Sequence, residues 1–458
     1  MPKISVIMPS LNVAPYIREC MDSVICQTLN DIEILCIDAG STDGTWEILR
    51  EYAERDSRIR LIKSDKRSYG YQMNLGLKSA VGEYIGIVET DDFILPEMYK
   101  ELYACAKEEN ADFVKTDFDV FTSFQNGERI FLRYSLERHS SAVYDTIFSS
   151  EDYIKSERTI DVFIWNGIYK REFLRSHNIL FQETPGAAFQ DCGFRYQVAL
   201  NVRRGFFLKR SFYRYRRDNI NSSTYNNKCV LFNLAEARYL IKTVRDRGKA
   251  SKEQMAFLAR EIAVIAHAPY IELLTWGQPA EGTEEALEEF RTILRDFMGC
   301  GILTKRLVSR DMWLEIRMFV EQPALYDCYS HLRAEVLAED IRDFLKSIAE
   351  KEKVIIFGSG NMGACAYCLI RNNGIQNIVA FCDNDQDKWG TTYMGRPVEP
   401  PEKIVEEFFD ACFVIANARH AHEIQKQLCS YGIPAEQTII YGLFTLPLAC
   451  TNMIMRKS

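Results

Sequence analysis

The run Tyr84-Ile-Gly-Ile-Val88, followed at once by Glu89-Thr-Asp-Asp92, leaves a chain few ways to fold. Its apolar part reads as a buried strand. The three carboxylates that follow repel one another and cannot all be buried unpaired. The strand must therefore cross a core and end at a polar rim. A divalent cation relieves such crowding, because hard cations take oxygen ligands. In open α/β sheets the carboxyl ends of the strands are also where ligands bind. A solvated acidic turn would satisfy the charges as well, so the surrounding chain has to decide.

Upstream, strand and helix patterns alternate. Ile4–Met8, Ile32–Ile37 and Ile59–Ile62 read as strands. Tyr16–Ile25, Thr45–Tyr52 and the stretch around Asn74–Ala80 have helical spacing. That order predicts an α/β fold with a mostly parallel sheet wrapped by helices. Polar or small residues follow the strands: Pro9-Ser-Leu-Asn12, Asp38-Ala-Gly-Ser-Thr-Asp-Gly44 and Glu89–Asp92. Right-handed crossovers bring these strand ends to one edge of the sheet. Asp38 directly follows an apolar strand, where its carboxylate can accept a hydrogen bond from a ligand.

From Ile4 to Asp92 the chain resembles a family-two glycosyltransferase of the GT-A fold. The matching residues are Pro9 and Asn12, Asp38 with Gly40–Thr45, Asn74-Leu-Gly-Leu77 with Ala80 and Gly82–Ile85, and Thr90-Asp-Asp92. The resemblance implies a nucleotide-sugar donor held by the strand-end loops, through Pro9, Asn12, Asp38, Asn74 and Asp91. It further implies a divalent metal (Mn2+ or Mg2+), with Asp91 and Asp92 sharing ribose and metal duties. Which of that pair ligates the ion stays open. Four positions depart from the family's usual residues: Leu11, Ala39, Met73 and Gln190.

Downstream, Phe189-Gln-Asp-Cys-Gly-Phe194 matches the family's acidic catalytic position, which makes Asp191 the expected general base of an inverting transfer. Trp165 is either an acceptor-side stacking platform or a core tryptophan. Tyr213-Arg-Tyr-Arg-Arg217 alternates like an edge strand leading into a polar loop, with Arg216, Arg217 and Ser222 as diphosphate candidates. The acceptor implied is a glycan or a lipid-linked molecule, and the process bacterial surface polysaccharide synthesis.

Beyond this GT-A domain, residues 1–227, strand signals give way to helices over 228–350, read as a connector with a capacity for self-association. Ser251 and Gln254 form a capping box there. Residues 351–442 return to alternation. Gly358-Ser-Gly-Asn-Met-Gly363 follows a strand, and Asp383 ends the next strand twenty residues after Gly363. That spacing suits a small Rossmann-like domain, with Gly358, Gly360, Gly363 and Asp383 as nucleotide-binding candidates and a dinucleotide as the ligand to consider. The apolar tail 443–458 suits packing on that domain, with peripheral membrane contact as the alternative.

Composition narrows the function. A net charge of −8 argues against sequence-independent nucleic-acid binding. The fourteen cysteines are scattered and mostly sit in apolar runs, as in a reduced, cytoplasmic protein working at the inner face of a membrane at most. Two other functions stay open on sequence: an NAD-dependent oxidoreductase or epimerase run by the C-terminal domain, and a transferase-like binding protein without activity.

Overall fold

A computed structural model describes residues 1–123, 127–136, 144–155, 163–219, 221–222, 226–246, 248, 250–417 and 419–441. The tail 443–458 lies outside the described residues. The chain forms two compact units. The first comprises Met1–Phe121, Arg133–Leu273 and Pro279–Asp327; the second comprises Thr122–Leu132, Leu274–Gln278 and the chain from Cys328 onward.

The first unit is built on a sheet whose opening strands are β1 (Ile4–Ser10), β2 (Ile32–Asp38), β3 (Ile59–Lys63) and β4 (Tyr84–Ile87). They lie parallel in the order β3-β2-β1-β4. All seven residues of β1 and of β2 are buried, as expected for parallel strands covered on both faces. Helices α1 (Ala14–Ile25), α2 (Thr45–Arg55) and α3 (Tyr69–Ser79) make the crossovers. In α1 the inward face is Ile17, Cys20, Met21 and Val24, the spacing of an amphipathic helix. Gly76 lets α3 approach the sheet, since a Cβ there would stand 2.6 Å from Ile7.

Past β4 come β5 (Phe93–Ile94), α4 (Met98–Glu108), β6 (Phe113–Ser123), β7 (Arg129–Tyr134), β8 (Ile147–Phe148), α5 (Ser150–Lys155), β9 (Gly167–Lys170), α6 (Arg171–Ser176), α7 (Gln190–Asn201) and β10 (Gly205–Arg216). The sheet continues β4-β9-β6-β10-β5, with β9 antiparallel to both its neighbours. The run at Tyr213 is therefore not an edge strand. It is the end of β10, and β5 pairs alongside it through Tyr213 with Ile94 and Arg214 with Phe93.

Helices α8 (Cys229–Asp246), α9 (Lys252–Trp276), α10 (Thr283–Gly299), α11 (Arg310–Glu321) and α12 (Pro323–Ala349) follow. The capping box opens α9: Ser251 Oγ accepts from the Gln254 N–H at 3.2 Å, and Gln254 Oε1 from the Ser251 N–H at 2.9 Å. Pro323 ends one helix and begins the next, where its missing N–H costs nothing. Among the described residues no helix is long and apolar enough to cross a membrane.

The second unit holds β11 (Val354–Phe357), α13 (Asn361–Asn372), β12 (Ile378–Cys382), β13 (Thr392–Tyr393), β14 (Arg396–Glu399), α14 (Pro401–Glu407), β15 (Cys412–Ile415), α15 (Ala421–Ser430) and β16 (Thr438–Ile440). Five strands run parallel in the order β14-β12-β11-β15-β16, with β13 antiparallel on the outside. Ile355, Phe357, Phe413 and Ile415 anchor its core.

Candidate active site

Register places the strand ends together. Ser10 at the end of β1 pairs with Asp38 at the end of β2, and Ile7 pairs with Ile87 of β4. Asp38 is 2% exposed, and its carboxylate organises the loop that follows. Oδ1 accepts the N–H groups of Gly40 and Ser41, both at 2.9 Å; Oδ2 accepts the hydroxyls of Ser41 at 2.5 Å and Ser10 at 3.0 Å. Asn12, in the left-handed region with φ 55°, ties the first loop to the second. Its Oδ1 accepts from the Thr42 N–H at 2.8 Å and its own N–H donates to Ser41 Oγ at 2.9 Å. The carbonyl of Pro9 accepts the Thr90 hydroxyl at 2.8 Å, which joins the acidic turn to both.

The acids of that turn divide sharply. Asp92 has no exposed surface, and both its oxygens are engaged: Oδ1 by the Arg216 N–H at 2.7 Å, Oδ2 by the Tyr213 hydroxyl at 2.8 Å. Burial, reinforced by the Asp91 charge, pushes its carboxyl well above the usual range. Asp91 keeps partial exposure, and its Oδ2 accepts from Asn219 Nδ2 at 2.7 Å. Glu89 accepts the Tyr69 hydroxyl at 2.6 Å. Its carboxyl is pushed up to about 8, by burial first and then by the charges of Asp91 and Asp191.

Asp191 joins this rim from 100 residues away in sequence. It lies in the first turn of α7, where Phe189 in the left-handed region turns the chain into the helix. Its charge acts on Glu89, on Tyr69 and on Glu236 of α8. Burial raises the Asp191 carboxyl, while the cations Arg195 and Lys115 draw it back. Arg195, one turn along α7, is buried and paired with Glu261 of α9. The loop before α7 is stitched to the start of α3. Tyr69 N–H donates to the Gly186 carbonyl at 2.9 Å, and Gly186 N–H to the Arg67 carbonyl at 2.8 Å.

Three expected ligand contacts lie elsewhere. The Asp38 carboxylate accepts four hydrogen bonds from its own loop and from Ser10, so it anchors that loop and has no acceptor left for a base. Asn74 uses both ends of its amide on the backbone of Phe181, at 2.9 Å each way, so it fastens α3 to the loop before α7. Trp165 is 5% exposed and stacks on Tyr213 with ring centroids 4.1 Å apart. The indole is thus closed off as a sugar platform and instead packs the ring whose hydroxyl holds Asp92. Sequence reading also missed Gln72, Tyr213 and Asn219. Gln72 Nε2 bridges the carbonyls of Ser10 at 3.0 Å and Ile37 at 2.6 Å, locking the ends of β1 and β2. A glutamine beside Met73 on a helix face packed on a sheet was the available signal. Arg216, proposed for a diphosphate, donates instead through Nε to the Asp91 carbonyl at 2.6 Å and through Nη2 to Glu19 at 2.6 Å. Among the described residues no group of three or more His, Cys, Asp or Glu side chains is arranged to hold a metal.

In the second unit the glycine loop sits at the end of β11. Asp383, at the end of β12, is turned back onto it. Oδ2 accepts the Ser359 N–H at 2.8 Å, the Ser359 hydroxyl at 2.7 Å and Lys388 Nζ at 3.1 Å, and Oδ1 accepts the Asp385 N–H at 3.0 Å. Burial works against its charge, but these donors outweigh burial and hold the carboxyl below its ordinary value. An Asp383 bound in this way is a loop anchor, where the sequence had suggested a ribose ligand.

Parallel strands β3-β2-β1-β4, an acid-terminated central strand and loops gathered on one edge make the first unit a GT-A-like transferase fold. Two family models match the chain: Glycosyl transferase family 2 over residues 5–177, and C2185-like, N-terminal over residues 350–440. The chain belongs to glycosyl transferase family 2. The uncharacterized glycosyltransferase EpsJ of Bacillus subtilis (strain 168) is 33% identical over 223 residues, 49% of this chain and 63% of EpsJ. The uncharacterized glycosyltransferase YibD of Escherichia coli (strain K12) is 30% identical over 246 residues, 53% of this chain and 69% of YibD. The chain thus spans less than two thirds of EpsJ. S. aureus TarS 1–349 in complex with UDP-GlcNAc is alike in fold, with TM-score 0.56 and 18% identity over 74% of this chain and 92% of that one.

Proposed function

We propose that the first unit transfers a glycosyl group from a nucleoside-diphosphate sugar to a hydroxyl of a glycan or lipid-linked acceptor, with inversion, in bacterial surface polysaccharide synthesis at the cytoplasmic face. The observation that supports this reading is that the Asp191 charge acts on Glu89, in the same acidic turn as Asp91. EpsJ and YibD, each described as a glycosyltransferase, support the reaction class, and TarS, described in complex with UDP-GlcNAc, is in keeping with a nucleotide-sugar donor.

Asp191 is the general base. A carboxylate lifted by burial is a better proton acceptor than one in water, provided it stays ionised, and Arg195 and Lys115 favour the ionised form. The base need act only as the bond at the anomeric carbon breaks. The Asp38 and Asn12 loops, fixed to each other, cradle the nucleoside. A divalent ion fits here in a limited way. Such ions are held by one or two carboxylates together with substrate phosphates, and Asp91 is the accessible member of the acidic pair. When bound, the ion neutralises charge on the departing diphosphate. Asp92, enclosed by Tyr213 and Arg216, holds the turn that presents Asp91.

The family departures do not argue for an inactive binding protein. Ala39 is 3% exposed and Met73 fully buried, so both alter packing beneath the rim. Gln190 closes its own turn, its Oε1 accepting the Ala188 N–H at 2.8 Å and its Nε2 donating to Thr184 at 2.9 Å.

The test is Asp191→Asn in the full chain, with a panel of nucleotide sugars and Mn2+. The variant should keep the donor-dependent rise in melting temperature and lose nucleoside diphosphate release by about 10²–10⁴-fold. Turnover equal to the unaltered protein overturns the assignment.

A further inference from the structure

At the carboxyl edge of the second unit's sheet lies a cavity of about 330 Å³, walled in part by Phe357, Gly358, Gly360, Met362, Lys388 and Asn417. It sits where the order β14-β12-β11-β15-β16 reverses direction, between the ends of β11 and β15.

The three glycines of the loop have different reasons to be glycine. Gly358 has φ +111°, and a Cβ there would stand 3.0 Å from the Ala416 carbonyl oxygen. At Gly363 a Cβ would fall 1.9 Å from the Gly358 carbonyl oxygen. The fold itself requires both. Gly360 has an extended backbone that any residue adopts (φ −108°, ψ −165°), and a Cβ there meets nothing within 4 Å. Nothing among the described residues accounts for a glycine at this point, and Gly360 lines the cavity.

The wall offers donors, and the acceptors of its carboxylate are already engaged. Lys388 shares its ammonium between Asp383 at 3.1 Å and Asp385 at 3.6 Å, and an ammonium has three N–H groups. Asn417 accepts the N–H groups of Arg419 at 3.2 Å and His420 at 3.1 Å through Oδ1, which leaves its amide nitrogen as a donor. The N–H groups at the start of α13 add positive potential. Asp383, the one carboxylate in the wall, already accepts four hydrogen bonds, about the capacity of a carboxylate, so none remains for a ribose diol. The volume is at the bottom of the range for small-molecule sites, roughly 300–1,000 Å³.

We propose that this cavity binds a phosphate monoester of sugar-phosphate or mononucleotide size, and not a dinucleotide. The phosphate lies over Gly360 against Lys388 and the Asn417 amide, and the rest of the ligand lies against Phe357 and Met362. The cavity is lined by residues of the second unit, and its existence does not depend on the transfer reaction.

Calorimetric titration of the full chain with glucose 1-phosphate, AMP, inorganic phosphate and NAD, in EDTA to silence metal-assisted donor binding, tests this. One of the two monoesters should bind, which tells the sources apart, and more tightly than inorganic phosphate or NAD. Gly360→Leu puts a side chain into the cavity from a position where the added Cβ meets nothing within 4 Å. It should keep the melting temperature and weaken the monoester at least tenfold, and Lys388→Met should weaken it as well. Four results overturn the proposal: no heat from either monoester at millimolar concentration, tighter binding of NAD, inorganic phosphate binding as tightly as the monoesters, or unchanged monoester binding in both variants.

Discussion

Tyr213 Oη donates to Asp92 Oδ2 at 2.8 Å and accepts the Glu89 N–H at 3.0 Å, so one phenol from β10 closes both ends of the acidic turn. Tyr213→Phe keeps the ring on Trp165 and removes only these two bonds. Leaving a buried carboxylate and a backbone N–H short of partners should cost about 1–3 kcal/mol, read from urea unfolding. A variant as stable as the parent would show that the Tyr213 hydroxyl does not hold the turn.

Asn219 and Asp91 make a second testable pair, with Nδ2 to Oδ2 at 2.7 Å. Asn219→Asp replaces a donor by a like charge. The variant should melt lower without metal and gain more than the parent from Mn2+, because a second carboxylate then faces the ion. Equal Mn2+ shifts would place the ion away from Asp91.

The pH profile should report Asp191. Transfer falls as pH drops through the pKa of a base that must be ionised. Burial sets that pKa above the ordinary carboxylate value, so the acid limb of kcat/KM should lie above about pH 4. Lys115→Met removes one of the cations that hold the carboxyl down and should move the limb to higher pH. Glu89 and Glu236 face the same carboxyl and act in the opposite sense to Lys115. A limb displaced to lower pH in the variant contradicts the assignment.

Gly70→Ala tests the seam between α3 and the loop before α7. A Cβ at this position would stand 1.8 Å from the backbone oxygen of Gln182, so the seam has to open. Destabilisation should reach about 1–3 kcal/mol or more. Gly360→Ala, with nothing near its Cβ, should stay within about 0.5 kcal/mol of the parent.

Local chemistry was legible and distant chemistry was not. The strands of the first sheet, the loops at Asn12 and Asp38 and the capping box at Ser251 each follow from residues a few positions apart, and the structure places them within a few residues of expectation. A motif singled out Asp191 as a candidate, but nothing in the sequence said that the charges of Lys115 and Arg195 would act on it. Trp165 shows the limit most clearly. A tryptophan near a sugar site can be platform or packing, and only the position of Tyr213, 48 residues further on, decides between them. Asp91 and Asp92 are chemically identical in the sequence. Their separation into an accessible acid and an enclosed one depends on partners from β10 and the loop beyond it.

The bond from the Arg216 N–H to Asp92 spans 124 residues, and this has a consequence for synthesis. At about 5–20 residues per second, a ribosome needs roughly 6–25 s to pass from Asp92 to Arg216. Over that interval the first four strands can pair, yet the acidic turn lacks the donors that make its burial affordable. A nascent chain cut short of β10 should therefore carry a folded β3-β2-β1-β4 core with an open, solvated acidic turn. The enclosure of Asp92 is completed only when the last strand of the unit arrives.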